Sequence, residues 1–199
     1  MLRDKKGARL AVSVASVLLL VAGVGLLALP VASNLWRDNR QDSLRQEFAS
    51  PEHRQAYESR QIGTGESLTR IRIPAIGVDT IVVEGVTTSA LRAGSGHYPE
   101  TALPCETGNV AIAGHRTTYG KPFADLDKLG VGDTIELITP VGGCVYRLAE
   151  KPFVVAPTDV GVLDPTPNRT VTLTTCHPKG SDRQRLIVKA VWESDQVAT

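Results

Sequence analysis

Hydrophobic and polar positions divide the chain into three stretches of different pattern. Leu10 to Leu29 is a run of twenty residues without a charge, rich in Leu, Val and Ala. Asn34 to Gly65 is polar and mixed in charge. From Leu68 onward, short runs of β-branched and aliphatic residues alternate with turn-forming residues. The pattern therefore predicts an apolar helix, a polar segment and a β-rich domain, in that order.

The apolar run has the length of a membrane-spanning helix, which needs about 20 apolar residues. A cleaved signal peptide is the alternative, since Ala28 and Ala32 are small residues near its end. The apolar core of a signal peptide is only about 7–15 residues long, and cleavage after Ala32 would place Pro30 in the recognition site. We interpret residues 10–33 as an uncleaved transmembrane anchor, with the basic residues 1–9 in the cytoplasm and the remainder outside.

The polar segment, residues 34–65, is predicted to be an extracellular stalk. Its large apolar residues are too scattered to build a core: Leu35, Leu44 and Phe48. Part of Arg37–Tyr57 has a helical pattern, but Pro51 and a Gly-Thr-Gly end are typical of a solvated spacer.

The remainder is predicted to be an all-β domain over residues 66–193, followed by a short tail at 194–199. About eight short strands are expected, at 68–73, 79–83, 110–113, 134–138, 145–148, 153–155, 170–174 and 185–191. Turn residues such as Gly94-Ser95-Gly96 and Gly142-Gly143 separate them, and this spacing is typical of a barrel or sandwich. Only Phe123 to Leu129 has the pattern of a short helix, with its apolar residues on one face.

Charge and cysteine content exclude two classes of function. The net charge is +1, which argues against a nucleic-acid surface. Cys105, Cys144 and Cys176 form no CxxC pair, so the spacing excludes a zinc finger. In an exported domain Cys105 and Cys144 are candidates for a disulfide; the alternative is two small buried residues far apart.

Candidate chemistry centres on Cys176, where a β-branched run ends. A strand that stops at a cysteine presents its thiol at the rim of a sheet. The polar loop 177–184 is rich in turn formers and allows the chain to fold back, bringing Arg185 beside the thiol. A neighbouring cation favours the reactive thiolate. Arg183 competes for this role, since residues i and i+2 of a strand share a face.

A nucleophilic thiol needs an acid–base partner, and the chain has four histidines. His115 follows the apolar strand 110–113 on a glycine-containing loop, so it lies just past a buried strand, as the cysteine does. His53 falls in the predicted stalk, His97 follows a glycine-rich turn, and His177 would point away from Cys176 if the strand continues. His115 is the best candidate.

Three ordered motifs resemble those of sortases. Thr172-Leu173-Thr174-Thr175-Cys176 is similar to the TLxTC signature, Arg185-Leu186-Ile187-Val188 to the strand after it, and Ala113-Gly114-His115-Arg116 to the histidine motif. Gly114 to Gly120, together with Gly96-His97-Tyr98-Pro99, resembles most the class E branch, the housekeeping sortases of actinobacteria. The resemblance covers residues 66 to 193 and implies an eight-stranded sortase barrel.

The resemblance also implies roles for individual residues. Cys176 would be the nucleophile, His115 the general acid and base, and Arg185 the donor to the substrate carbonyl or oxyanion. Tyr98 and Thr175 would contact the substrate, with Tyr98 favouring Ala over Pro at the second signal position. No metal and no organic cofactor is implied.

The function implied is that of a membrane-anchored, Gram-positive transpeptidase. It would cleave an LAxTG- or LPxTG-type C-terminal sorting signal of surface proteins between Thr and Gly, through a thioacyl enzyme. It would then transfer the protein to a cell-wall precursor amine or a pilin. Two alternatives stay open on the sequence: a thiol hydrolase of the same signal, and an inert cell-surface binding barrel. No nucleic-acid partner is expected.

Overall fold

The computed structural model of the chain describes residues 2–195, so residues 196–199 of the predicted tail lie outside the described residues. Within this part, nine strands form one sheet: β1 Ser67–Ile73, β2 Val78–Glu84, β3 Ser95–His97, β4 Gly108–Gly114, β5 Thr134–Thr139, β6 Gly142–Leu148, β7 Phe153–Val155, β8 Arg169–His177 and β9 Gln184–Ser194. The helices are α1 Leu2–Phe48, α2 Pro51–Glu58 and α3 Thr88–Ala93, with 3-10 turns at Pro74–Ile76, Leu126–Lys128 and Val160–Leu163.

Eight of these strands close into a barrel, as predicted. The order is β6-β5-β1-β2-β3-β4-β8-β9, and β6 pairs with β9 to close the ring. β7 lies outside the ring, paired with the first part of β9. Two of the pairings, β2 with β3 and β4 with β8, are parallel. The inward-facing residues of the strands form the main hydrophobic core, into which Phe123, Leu126 and Leu129 also pack.

All eight predicted strands are present, and β3 is the strand that the sequence reading missed. Its glycine was interpreted as a turn residue. At Gly96, however, a Cβ would collide with the carbonyl oxygen of Gly85, so the glycine lets β3 pack closely against the backbone just after β2. The predicted helix over Phe123–Leu129 is shorter than expected, since only Leu126–Lys128 is helical. Helix α3 was not predicted.

The apolar run lies in α1, as predicted. Its Val12–Phe48 stretch is long and apolar enough to cross a membrane, with a mean hydropathy of 2.6 in its most apolar window and none of that window buried. The chain divides into two units, Met1–Trp36 and Arg37–Thr199.

The expectation that the apolar residues of segment 34–65 are too scattered to join a core is wrong for Leu44. Leu44 is fully buried and packs with Ile81 and Val83 of β2, so one face of the last turns of α1 covers the barrel. Gln41 is also buried and makes four hydrogen bonds with the barrel. In α2, the imidazole of His53 lies 2.9 Å from the hydroxyl of Ser67. The error arose because only one face of this helix is apolar, and few residues form that face.

Cys105 and Cys144 form a disulfide, with Cα atoms 5.6 Å apart. It joins the loop before β4 to strand β6, two segments that are 39 residues apart in sequence. The pairing that the sequence left open is therefore present.

Candidate active site

The candidate nucleophile lies at the end of a row of outward-facing threonines on β8. Because side chains alternate along a strand, Thr170, Thr172, Thr174 and Cys176 share one face. Asn109 accepts hydrogen bonds from the first two hydroxyls at 3.4 and 2.7 Å. Thr174 is 5% exposed, whereas Cys176 is half-buried and accessible. Of the three cysteines, all in the described part of the chain, Cys176 alone has a free thiol.

The asparagine also anchors the loop that borders this face. Its Nδ2 donates to the carbonyl oxygens of Val162 at 3.1 Å and Asp164 at 3.2 Å. The loop between β7 and β8 is therefore held at the Thr170 end of the threonine row, the end opposite Cys176.

His115 comes to the same rim through the parallel pairing of β4 and β8. In this pairing Ala113 is opposite Thr174. The paired ladder ends there, and His115 follows two residues later, in the loop after β4. Continued by two residues, this register would bring the imidazole level with Cys176, on the same face.

The loop that holds His115 is shaped by close packing. A Cβ at Gly114 would lie 2.5 Å from the ring of Phe123, so the glycine allows this core aromatic residue to pack directly against the start of the loop. The amide of Phe123 donates to the carbonyl of His115 at 3.1 Å. The ring of Tyr119 lies 5.2 Å from the imidazole. Burial lowers the pKa of His115 below its usual range, because a desolvated ring is harder to protonate.

Arg185 is directly opposite Cys176 in the antiparallel pairing of β8 with β9. Directly opposed residues of such a pair have side chains on the same face. The guanidinium donates to the carbonyl oxygens of Asp182 and Gln184 at 2.8 and 3.1 Å. Arg183 precedes β9, is exposed, and has no place in this pairing. The register therefore favours Arg185 as the arginine of the site.

Tyr98 lies against the threonine row, where its hydroxyl is 3.1 Å from that of Thr174. This contact places the tyrosine two residues from Cys176 along β8, on the same face. Thr175 is the other residue for which we predict a substrate contact. It is 3% exposed and its hydroxyl donates to the carbonyl of Gly114 at 2.7 Å. Its side chain points to the opposite face from Cys176, so it joins β8 to the histidine loop.

No role for Arg116 follows from the sequence pattern, yet this side chain touches the cysteine segment. It is 4% exposed, and Nη1 donates to the carbonyl of Cys176 at 3.3 Å and lies 2.8 Å from Nδ1 of His177. In the sequence, only the position of Arg116 next to His115 indicates this contact. An exposed arginine in a loop could occupy the same position, so the sequence does not distinguish the two.

Comparison with known proteins agrees with this geometry. Residues 71–193 match the family described as the sortase domain. Sortase SrtE1 of Streptomyces coelicolor is 37% identical over 139 residues, which cover 62% of this chain and 40% of that relative. The chain thus spans less than half the length of this relative.

Two solved structures are similar to the barrel. Sortase E from Streptomyces avermitilis is 40% identical, with a TM-score of 0.62 over 68% of this chain and 93% of that chain. The Clostridium perfringens sortase D5 transpeptidase is 33% identical, with a TM-score of 0.69 over 79% of this chain and 98% of that chain. The resemblance to class E inferred from the motifs is confirmed by the Streptomyces proteins. From its motifs, its barrel and these matches, the chain belongs to the sortase family.

Proposed function

We propose that this protein is a membrane-anchored cysteine transpeptidase that attaches surface proteins to an amine of the cell envelope. The observation that supports this best is the pairing at one rim of the barrel: Cys176 on β8 is opposite Arg185 on β9, and His115 follows β4, whose last pair with β8 is Ala113 with Thr174. A nucleophile, an acid–base group and a fixed cation on one accessible face are the components that acyl transfer requires.

In the first half of the reaction, the sulfur of Cys176 attacks the carbonyl carbon of the Thr–Gly peptide bond. The oxyanion that forms accepts hydrogen bonds from Arg185, whose guanidinium exchanges its contacts with loop carbonyls for the substrate. As the carbon–nitrogen bond breaks, protonated His115 donates its proton to the departing glycine amine. A thioester between Cys176 and threonine remains.

In the second half, an amine of the envelope attacks the thioester. His115 accepts the proton that this amine loses, a new amide bond forms, and Cys176 departs as the thiolate. Water in place of the amine gives hydrolysis by the same steps. The two outcomes therefore differ only in the acceptor.

We propose an LAxTG- or LPxTG-type sorting signal as the donor substrate, and a cell-wall precursor amine or a pilin as the acceptor. The position of Tyr98 beside the threonine row supports a role in reading the second signal residue. The apolar helix would anchor the enzyme, with its basic N-terminus in the cytoplasm and the barrel outside, since positive flanks stay inside.

The test is mass spectrometry of the purified full-length protein with an LAxTG peptide, with and without a glycine or diaminopimelate-type amine. We expect a covalent adduct on Cys176 and, with the amine present, the ligated peptide. Cleavage without ligation under all amines would indicate a hydrolase. Absence of any adduct would refute the proposed function.

Cys176→Ala is expected to abolish both cleavage and transfer while the protein stays folded. The substitution removes the sulfur that forms the thioester but leaves the strand pairing around it. Activity and circular dichroism measured on the same preparation check this. Turnover above a few per cent of the wild-type rate would contradict the assignment of the nucleophile.

A further inference from the structure

Arg116 is a buried cation whose three partners lie in two other parts of the chain. Its exposed fraction is 4%. Nη1 donates to the carbonyl oxygen of Cys176 and to Nδ1 of His177, at 3.3 and 2.8 Å, and Nη2 forms an ion pair with Asp127 Oδ1 at 3.0 Å. The guanidinium therefore joins the histidine loop, the end of β8 and the turn at Leu126–Lys128.

Stability alone does not account for a charge in this place. Moving a guanidinium out of water costs several kcal/mol, and an apolar side chain of similar volume often serves a buried position as well or better. Nε of Arg116 is buried and has no partner among the described residues, so the desolvation of this group is only partly offset. The charge at this position is therefore better explained by a functional reason than by stability.

Its geometry supplies one. Arg116 is covalently adjacent to His115 and hydrogen-bonded to the backbone of Cys176, so a single side chain connects the two residues whose separation determines proton transfer. The hydrogen bond of Thr175 to Gly114 joins the same two segments, two residues before His177 on β8. A misplacement of about 1 Å between reacting groups lowers rates by about 100-fold.

We propose that Arg116 is a positioning residue, which holds the histidine loop and the end of β8 at the separation that catalysis needs. It touches the backbone of Cys176 and the ring of His177 and does not contact substrate. Because Nδ1 of His177 accepts from the guanidinium, the proton of the neutral ring is on Nε2. The proposal rests on the proposed function for its rate effects only.

The test compares Arg116→Met, Arg116→Lys and Asp127→Ala in the full-length protein. Lysine keeps the charge but lacks the fork that reaches three acceptors. We expect kcat to fall about 100-fold for Arg116→Met and about tenfold for Arg116→Lys, with KM nearly unchanged. Asp127→Ala removes only the outer partner, which is 44% exposed, and is expected to have a smaller effect in the same direction.

The matched control is Arg70→Lys. Arg70 forms a two-pronged ion pair with Asp79 on the β1–β2 pair, away from the cysteine strand. This control measures how the loss of a two-pronged Arg–Asp contact changes the free energy of unfolding. We expect it to leave kcat per folded molecule unchanged.

Two further measurements do not need a substrate. The rate at which iodoacetamide alkylates Cys176, measured by mass spectrometry, reports the environment of the thiol. Nitrogen NMR chemical shifts report the tautomer of His177. We expect both to change in Arg116→Met, even if the peptide test of function fails. If the melting temperature falls while kcat per folded molecule and the alkylation rate match those of the wild type, Arg116 is merely structural and the proposal is wrong. If Arg116→Met does not fold, Asp127→Ala decides by the same readouts.

Discussion

At the scale of single residues, the site differs in burial from one side chain to the next. Cys176 is half-buried, whereas Thr172 and Thr174, which precede it on the same face, are buried. His115 is half-buried beneath Tyr119, and burial lowers its pKa. In the reactive form of a thiol–imidazole pair the thiol is ionised and the imidazole protonated. A lower histidine pKa makes that form scarcer at neutral pH, so slow turnover is expected.

The pH dependence should report this burial. The reactive form carries one proton, on His115, and because an ordinary thiol titrates above an imidazole, this form gives way to the doubly protonated enzyme as pH falls through the histidine pKa. The acid limb of kcat/KM therefore follows that pKa and lies below the ordinary histidine value of about 6.5. Tyr119→Ser exposes the imidazole and raises its pKa, so the acid limb should move to higher pH and the maximal rate should rise. NMR titration of His115 and pH–rate profiles of both proteins provide the measurement. A histidine pKa that rises without moving the acid limb would show that another group donates the proton.

Tyr98 offers a separate test of specificity. Tyr98→Ala should shift the preference from LAxTG toward LPxTG by about tenfold, since one or two methylenes of pocket space change selectivity on this scale. Tyr98→Phe is the matched control, because it keeps the ring and removes only the hydroxyl contact with Thr174. Competition between the two peptides gives the ratio. Loss of the aromatic ring also costs about 3 kcal/mol of stability, so folding is checked in parallel. An unchanged ratio would assign Tyr98 to packing alone.

At the scale of elements, the last part of α1 belongs to the barrel domain. Both ends of the Gln41 side-chain amide form hydrogen bonds with the barrel domain. Its amide nitrogen donates to the carbonyls of Ile81 and Ala93 at 3.1 and 2.8 Å, and its oxygen accepts from the amide of Ile81 and the hydroxyl of Thr80, each at 2.8 Å. Together, Gln41 and Leu44 cover residues of β2 and α3 and exclude water from them.

Gln41→Ala is therefore expected to destabilise the barrel domain. Four hydrogen bonds are lost at about 1 kcal/mol each, and the buried groups on the barrel are left without partners, so the free energy of unfolding should fall by about 3–4 kcal/mol. Urea denaturation followed by circular dichroism measures this. Ser43→Ala is the control, since Ser43 is exposed on the same helix. Equal stability of the two variants would mean that residues 37–48 do not contribute to the fold.

At the scale of the whole molecule, the barrel depends on pairings between distant segments. β1 pairs with β5, and β4 with β8, each across some sixty residues of chain. The disulfide links two further distant segments, the loop before β4 and strand β6, and the amide of Cys105 also donates to the hydroxyl of Tyr146. Burial raises the pKa of Tyr146 to about 12, which keeps that hydroxyl neutral in the folded protein.

Removing the disulfide should lower stability without affecting chemistry. The loop it closes spans 39 residues, which in the chain-entropy model corresponds to about 3–4 kcal/mol. The double variant Cys105→Ser, Cys144→Ser is compared with wild type by urea denaturation and by peptide turnover below the transition. Thiol counting on the denatured, unreduced protein should give one free thiol in both. Three free thiols in the wild type would contradict the bridge.

The sequence by itself determined the local features of this protein. Alternation of β-branched residues identifies the strands, the loops that follow them place Cys176 and His115 at strand ends, and the apolar run identifies the long helix. Such features follow from short-range periodicity, which a single strand or helix expresses in its own residues.

Tertiary structure decided which of these segments meet. Parallel pairing of β4 with β8 brings together the strand ends that carry His115 and Cys176, and that pairing depends on packing of the whole barrel. The same packing turns Thr175 inward, buries Arg116 beside the cysteine, and brings Cys105 to Cys144. Each of these depends on contacts between residues far apart in sequence, and no local pattern specifies them. The helical segment after Trp36 was misread for this reason, since its narrow apolar face acquires meaning only against β2 and α3.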